Sequence, residues 1–118
     1  MRYNFRMRII NIEKGHPSSE AAINKLTNML YAARATGDYS AKIIHGYGST
    51  GTGGAIKAAV KRQMSSYISR RLIRSYMTGE EFGPFSSKGR AALNAHPDLK
   101  KDIDWGRNND GITVVIFK

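Results

Sequence analysis

The sequence predicts an α/β domain whose elements follow the order β-α-β-α-β-β. Two observations support this fold class. Short apolar runs rich in isoleucine and valine alternate with longer stretches in which apolar residues recur at helical spacing. Glycine, proline and serine clusters stand between these stretches. Because 41% of the 118 residues are apolar and no linker divides the chain, we expect residues 1–118 to form a single domain with one core.

The first strand and the first helix are predicted at residues 7–12 and 20–35. The strand is mostly apolar, and a Gly-His-Pro sequence ends it. Ser18 or Ser19 is suited to cap the helix, and Gly37 is suited to stop it. The apolar residues that share one side of this helix are Ala22, Ile23, Leu26, Met29, Leu30 and Ala33.

The second strand, at residues 41–45, and the second helix, at residues 54–69, repeat this alternation. The third strand is predicted at residues 72–77 from its alternating character. The fourth is predicted at residues 112–117, after an Asn-Asp-Gly turn. The inward residues expected on the second helix are Ile56, Ala59, Val60, Met64 and Tyr67.

A long segment, residues 78–111, separates the last two strands. We expect a short helix at residues 87–95, ended by a His-Pro pair. Leu99, Ile103 and Trp105 are expected to fold the remainder back onto the body, because loops of this length rarely stay structureless in a compact domain. Trp105 is expected as a packing anchor, and stacking on a base is the alternative.

The charge of the chain predicts a polyanionic partner. Nineteen Lys and Arg residues stand against nine Asp and Glu, which gives a net charge of +10 and a pI of about 10.2. Such an excess on one domain favours DNA or RNA as the partner. An anionic membrane is less favoured, because no basic amphipathic segment stands apart from the fold.

The cysteine, histidine and hydropathy patterns argue against disulfides, metal sites and membrane spans. The chain has no cysteine, so it has neither a disulfide framework nor a thiolate metal site. The three histidines are far apart in the sequence and show no metal-ligand spacing. No targeting segment or membrane span is recognised, and a cytoplasmic location is expected.

A glycine-rich junction between the second strand and the second helix predicts an anion site. Glycines occur at positions 46, 48, 51, 53 and 54. They allow backbone N–H groups to turn toward a ligand, and the helix dipole favours negative charge at this end. Phosphate is the expected anion. A glycine-rich turn that binds nothing is the alternative.

A run of basic residues continues from this junction. Lys57 and Lys61 are four residues apart with Arg62 beside them, so they form a ridge opposite the apolar side of the helix. No acidic residue interrupts it. The ridge continues into Arg70, Arg71 and Arg74. A solvated charged face is one interpretation, and contact with successive phosphates is the one that we favour.

Two nucleotide-binding motifs need to be considered at the same glycines. Positions 46, 48 and 51 satisfy G-x-G-x-x-G, but the Rossmann motif follows the first strand and places an acidic residue about 20 residues onward. Residues 65–77 contain no Asp or Glu. A P-loop is also excluded, since no Gly-Lys-Ser/Thr follows. A protein that binds a nucleotide or another small phosphorylated ligand in this loop remains the competing hypothesis.

Residues 43–64, IIHGYGSTGTGGAIKAAVKRQM, resemble the central HGxGxG motif and following helix of the Smr (small MutS-related) domain family. Glu20-Ala21 resembles the EA pair in the first helix of that family, and Gly37 resembles a glycine near its end. Residues 111–115, GITVV, resemble the last strand. The similarity covers most of the chain. It leaves residues 1–6 as a basic arm and residues 78–111 as an elaboration of a shorter loop.

The resemblance implies a two-layer α/β sandwich with a mixed four-stranded sheet, similar to the C-terminal domain of translation initiation factor three. It also implies nucleic-acid binding and, in several members, nicking of DNA or cleavage of RNA. The first strand of the family usually ends Leu-Asp-Leu-His, with the acid and the imidazole implicated in cleavage. This chain has Ile10-Asn11-Ile12-Glu13 instead. Asn11 cannot act as a carboxylate base, whereas Glu13 can supply a displaced carboxylate.

We therefore expect a monomer that binds DNA or RNA without a cofactor, and binding rather than cleavage. If it cleaves, as a nicking endonuclease with a divalent metal, His45 is the expected general acid or base and Glu13 the carboxylate. The residues expected to bind phosphate are Gly46, Gly48, Thr50, Gly51, Gly53, Lys57, Lys61, Arg62, Arg70 and Arg71.

Overall fold

In the computed structural model, strands and helices alternate along the chain as the spacing of the apolar residues predicts. The structure describes residues 7–47 and 52–118, so the predicted arm at 1–6 lies outside the described residues. The strands are β1 (Met7–Asn11), β2 (Ser40–Ile44), β3 (Ser75–Thr78) and β4 (Ile112–Ile116). The α-helices are α1 (Ser19–Ala35), α2 (Thr52–Ser69) and α3 (Ser87–Ala95), and a 3₁₀ helix covers Pro97–Lys101.

The four strands form one mixed sheet in the order β1-β2-β4-β3. β1 and β2 are parallel and are joined by α1, whereas β4 pairs antiparallel with both β2 and β3. The register places Ile43 opposite Ile10 on one side and opposite Thr113 on the other. The predicted α/β class and mixed four-stranded sheet are confirmed. With α3 included, the order is β-α-β-α-β-α-β.

Helices α1 and α2 pack on one face of the sheet and complete a two-layer sandwich. The apolar sides of both helices meet the inward residues of β1, β2 and β4 in one cluster. Leu26 and Leu30 of α1 are completely buried there, and each such side chain contributes about 1.5–3 kcal/mol. All five residues predicted to face inward on α2 are buried: Ile56, Ala59, Val60, Met64 and Tyr67.

Helix α1 begins and ends at the residues that the sequence marks. The Ser18 hydroxyl accepts a hydrogen bond from the N–H of Ala21 at 3.1 Å. At the other end Gly37 has a φ of +81°, and the N–H groups of Gly37 and Asp38 donate to the carbonyls of Arg34 and Ala33. This is a Schellman motif, in which glycine takes the left-handed position at the lowest cost.

The third strand is shorter than predicted and begins later. Leu72 and Ile73 are buried, but they belong to the turn after α2, since the N–H groups of both donate to the carbonyl of Tyr67. The prediction of a strand from residue 72 was therefore wrong. The other predicted bounds agree with the structure within two residues, and α3 agrees at both ends.

The segment between β3 and β4 packs on the opposite face of the sheet. Phe82 and Leu99 are buried against Ile112 and Val114 of β4. Trp105 meets the Phe82 ring edge to face, with the ring centroids 5.1 Å apart. Leu99 and Trp105 thus fold the segment back onto the body as predicted, and Trp105 serves as a packing anchor.

A buried charge cluster attaches this segment to β2. Lys42 projects from the sheet, and its Nζ lies 3.1 Å from Asp102 Oδ1 and 2.7 Å from Asp104 Oδ2. Burial alone would lower the pKa of Lys42, but the hydrogen bonds and charges of the two aspartates raise it. The expectation that Ile103 also packs inward was wrong, since it is 77% exposed. The carboxylates on either side of Ile103 both turn toward Lys42, which leaves its side chain outside.

No helix in the described part of the chain is both long and apolar enough to cross a bilayer.

Candidate nucleic-acid interface

His45 follows β2 and is buried, with 1% of its surface exposed. Its Nδ1 lies 2.9 Å from the carbonyl oxygen of Gly46, and its Nε2 lies 2.9 Å from the Thr113 hydroxyl. Because a carbonyl only accepts, Nδ1 carries the proton and Nε2 accepts from Thr113. Both ring nitrogens are therefore engaged within the protein, and the imidazole joins the start of the glycine stretch to β4.

The pKa of His45 is lowered mainly by its burial, and the positive charge of Lys57 lowers it further. The hydrogen bond to the Gly46 backbone and the charge of Glu13 oppose this shift without cancelling it. The imidazole is consequently neutral at physiological pH. Its engaged nitrogens and its burial suit a positioning residue better than a general acid or base.

Glu13 lies beside the same glycine. Gly46 has a φ of +84°, and a Cβ added there would overlap the Glu13 carboxylate. The structure thus brings the two predicted catalytic residues, Glu13 and His45, to one point of the backbone. Asn11 has a structural role here, because its side-chain oxygen accepts the N–H groups of Glu13 and Lys14, each at 3.0 Å.

The glycine stretch itself is only partly described. Gly48, Thr50 and Gly51 lie outside the described residues, so their predicted contact with phosphate stays a prediction. Gly53 is the second residue of α2, which begins at Thr52, two residues earlier than predicted. The described part therefore consists of Gly46 at one end of the stretch and the first turn of α2 at the other.

The outer side of α2 carries cations and no acid. No Asp or Glu occurs between Asp38 and Glu80 in the sequence. Lys57 lies 3.9 Å from Asp110, a long and partly exposed ion pair. Lys61 and Arg62 are exposed and form no ion pair within the part of the chain that the structure describes. The predicted basic ridge is thus a solvent-facing surface.

Two more arginines follow the C-terminal end of α2. The Arg70 guanidinium lies over the Tyr67 ring, 5.3 Å from its centroid. Arg71 has a φ of +59°, which is unusual for a residue with a side chain. Its N–H donates to the carbonyl of Ile68, and that of Leu72 donates to Tyr67. Arg71 therefore takes the position of a Schellman motif that glycine usually takes.

A cleft of about 410 Å³ lies between α2, the outer strand β3 and the beginning of β4. Met64, Tyr76 and Ile112 supply its apolar surface, and the Thr113 hydroxyl that bonds His45 belongs to its wall. Lysines and acids stand around this surface. The charged residues are Lys57, Lys61, Lys88, Glu80, Glu81 and Asp110.

Lys88, from α3, lines the cleft and contacts Tyr76 and Glu81. Its Nζ lies 4.5 Å from the centroid of the Tyr76 ring and 3.7 Å from Glu81 Oε1. Glu81 is fixed in turn, because its Oε1 accepts the N–H of Thr78 at 3.0 Å. Sequence reasoning missed Tyr76, Lys88 and Asp110, since only the sheet order brings them next to α2.

Within residues 7–47 and 52–118, no group of three His, Asp or Glu side chains is placed to hold a metal ion.

The chain was compared with protein families, curated proteins and solved structures. No protein-family model, curated protein or solved structure matches the chain significantly. None of them bears on the resemblance to Smr domains, which stays a prediction from the motifs.

Proposed function

We propose that this chain is an Smr-like module that binds the sugar-phosphate backbone of DNA or RNA through α2 and the arginines that follow it. The observation that carries the proposal is the exposed face of α2, on which Lys57, Lys61 and Arg62 have no acidic neighbour on the same helix. Arg70 and Arg71 add two exposed cations directly after the last residue of α2. At 1.5 Å per residue, the distance along the helix axis from Lys57 to Ser69, the last residue of α2, is about 18 Å, which is enough to follow several successive phosphates.

The described surroundings of His45 favour binding without cleavage. Hydrolysis of a phosphodiester needs a group that activates water and a second that protonates or stabilises the leaving oxygen. Both nitrogens of His45 are used inside the protein, and Asn11 supplies turn hydrogen bonds in place of a carboxylate. In this proposal Glu13 and His45 support Gly46 and the beginning of the phosphate-binding stretch.

A triple substitution of Lys57, Lys61 and Arg62 by Ala tests the backbone contact. Each neutralised phosphate contributes about 0.9 to the slope of log K against log salt on duplex DNA. The variant should therefore flatten the slope by about 2 to 3 and weaken binding to every sequence alike. Fluorescence anisotropy at several salt concentrations measures both quantities.

The matched control removes three exposed cations from the segment that covers the opposite face of the sheet: Lys100, Lys101 and Arg107. It lowers the net charge by the same amount. The proposal requires the α2 variant to lose much more affinity than this control. Equal losses would mean that only the overall charge attracts the polyanion, and unchanged binding in the α2 variant would place the contact elsewhere.

A second candidate is binding of a free nucleotide, with its phosphates at the glycine stretch and its base in the cleft beside α2. The cleft volume of about 410 Å³ falls in the range of small-molecule sites, about 300–1,000 Å³. Calorimetric titration with ATP and NAD tests this candidate. Saturable binding of either compound, with no binding of oligonucleotides, would replace the first proposal.

A further inference from the structure

We propose that the cleft beside α2 seats one unstacked nucleoside of a single-stranded nucleic acid, while the flanking phosphates run along Lys57 and Lys61. The inference rests on the proposed function and narrows its substrate to single-stranded or locally unpaired DNA or RNA.

The ridge borders the cleft at Lys57 and Lys61, which line both, but the acidic residues lie only on the cleft side. The exposed side of α2 has cations and no acid, so it attracts phosphate without a competing repulsion. Three lysines and three acids surround the cleft, so its net charge is close to zero. A phosphate group would meet the carboxylates of Glu80, Glu81 and Asp110 there. A nucleobase is uncharged and meets no such repulsion.

The surface of the cleft suits a flat aromatic ligand with polar edges. The partly exposed ring of Tyr76 is the kind of surface on which bases stack, and Met64 and Ile112, only 1% and 3% exposed, form the floor of the cleft. Carboxylates at Glu80 and Asp110 can accept hydrogen bonds from the exocyclic amino groups of bases. The ligand class is therefore a nucleoside that presents its ring to Tyr76 and its phosphates to α2.

The side chain of Lys88 occupies the place in the cleft where a base would stack, and it can be displaced. Its ammonium lies over the Tyr76 ring at 4.5 Å, where the incoming base would stack. Its side chain is 49% exposed, and its pairing with Glu81 is long, at 3.7 Å. Contacts of this kind contribute little, so a base displaces the ammonium at small cost. The released Lys88 can then pair with a phosphate of the same strand.

This arrangement predicts a preference between strands. A base within a duplex is stacked and paired, and its extrusion costs a few kcal/mol. A base in a single strand is already accessible. The protein should therefore bind a single strand more tightly than a duplex of the same length, although the duplex presents the denser array of phosphates.

The substitution Ala58→Phe tests the cleft without disturbing the core. Ala58 is an exposed residue of α2 that lines the cleft, so a phenyl ring there fills the space from the surface. Ala32→Phe is the matched control, because Ala32 is an exposed alanine of α1 and does not line the cleft. Circular dichroism and melting temperatures confirm that both variants fold.

Binding is measured by anisotropy with a 12-nucleotide DNA, an RNA of the same sequence and a 12-base-pair duplex. We expect Ala58→Phe to weaken single-strand binding about tenfold, the size of one lost base stack, and to change duplex binding less than twofold. Ala32→Phe should match the wild type. A 2-aminopurine placed centrally in the strand should be quenched on binding to the wild type and not on binding to Ala58→Phe. The DNA and RNA arms identify which polymer the cleft accepts.

These measurements distinguish failure of the proposed function from failure of this inference alone. If no oligonucleotide binds with a steep salt dependence, the proposed function and this inference both fall. If oligonucleotides bind in that way but Ala58→Phe behaves as the wild type on single strands, only the inference falls. It also falls if the duplex binds as tightly as the single strand, or if free AMP binds as tightly as the strand.

Discussion

Arg71→Gly should stabilise the fold while it weakens nucleic-acid binding. Arg71 has a φ of +59°, and a left-handed backbone costs a residue with a side chain about 1–2 kcal/mol. Glycine avoids this cost, although its greater freedom in the unfolded chain returns about 0.4–1 kcal/mol of it. The expected net gain is about 0.5–1 kcal/mol, or about 2–5 °C in Tm for a domain of this size.

The measurement is urea unfolding followed by circular dichroism, beside anisotropy with a single-stranded oligonucleotide. Arg74→Gly is the matched control, since Arg74 is also exposed but has no positive φ. Its N–H donates to the carbonyl of Ile116 at 2.8 Å, and this bond survives the substitution. The control removes the same charge and should destabilise the fold by about 0.5–1 kcal/mol.

Destabilisation by Arg71→Gly would refute the argument, because it would mean that the arginine side chain contributes more to the fold than its backbone position costs. Stabilisation with unchanged binding would separate the two halves of the prediction. The strain at Arg71 would then stand, and its role in contacting phosphate would not.

Four further predictions concern the buried charges and the candidate catalytic residues. Lys42→Met should cost about 3 kcal/mol by urea unfolding, because it leaves Asp102 and Asp104 partly buried without their cation, and adding Asn at both aspartates should restore most of the loss. Burial would raise the pKa of Asp104, but its hydrogen-bond partners lower this pKa below 3.8. The stability that the ionised carboxylate contributes is present above pH 3.8 and is lost as the pH falls below that value. The wild type should therefore lose more stability on acidification than the Lys42→Met variant. Since burial lowers the pKa of His45 below 6.5, the unfolded chain takes up the proton first, and stability should fall as the pH drops from 7.5 to 5.5, with a smaller fall in His45→Gln. Nuclease activity on supercoiled plasmid and structured RNA should be weak or absent with magnesium, manganese or a chelator, and robust turnover that both His45→Ala and Glu13→Gln abolish would make this chain an enzyme.

The helices were predictable because their signals are local. Ser18 and Gly37 mark both ends of α1, and a His-Pro pair follows α3. The beginning of β3 was not predictable in this way. Helix α2 ends in a Schellman motif without a glycine, because Arg71 takes the left-handed position. The apolar Leu72 that follows was therefore assigned to a strand.

The candidate site likewise has a part that local sequence patterns predict and a part that depends on strand pairing. The spacing of Lys57 and Lys61 on one helix is a local pattern, and the ridge was visible in the sequence. The cleft depends on β4 pairing between β2 and β3, which brings Asp110 and Tyr76 beside α2. The sequence carries no local sign of that pairing. His45 was recognised as important, but its burial and its bond to Thr113 follow from the same sheet order.

The position of β4 also has a consequence for how the chain folds. It is the last of the described strands in the sequence, yet it lies inside the sheet, where it pairs with β2 and β3. Until residues 112–116 have left the ribosome, β2 keeps one unpaired edge and β3 has no partner in the sheet. The two apolar clusters also lack the side chains that β4 supplies. Contacts this distant in sequence slow folding and leave intermediates open to aggregation. The sheet should therefore close in one late, cooperative step after synthesis has passed residue 116.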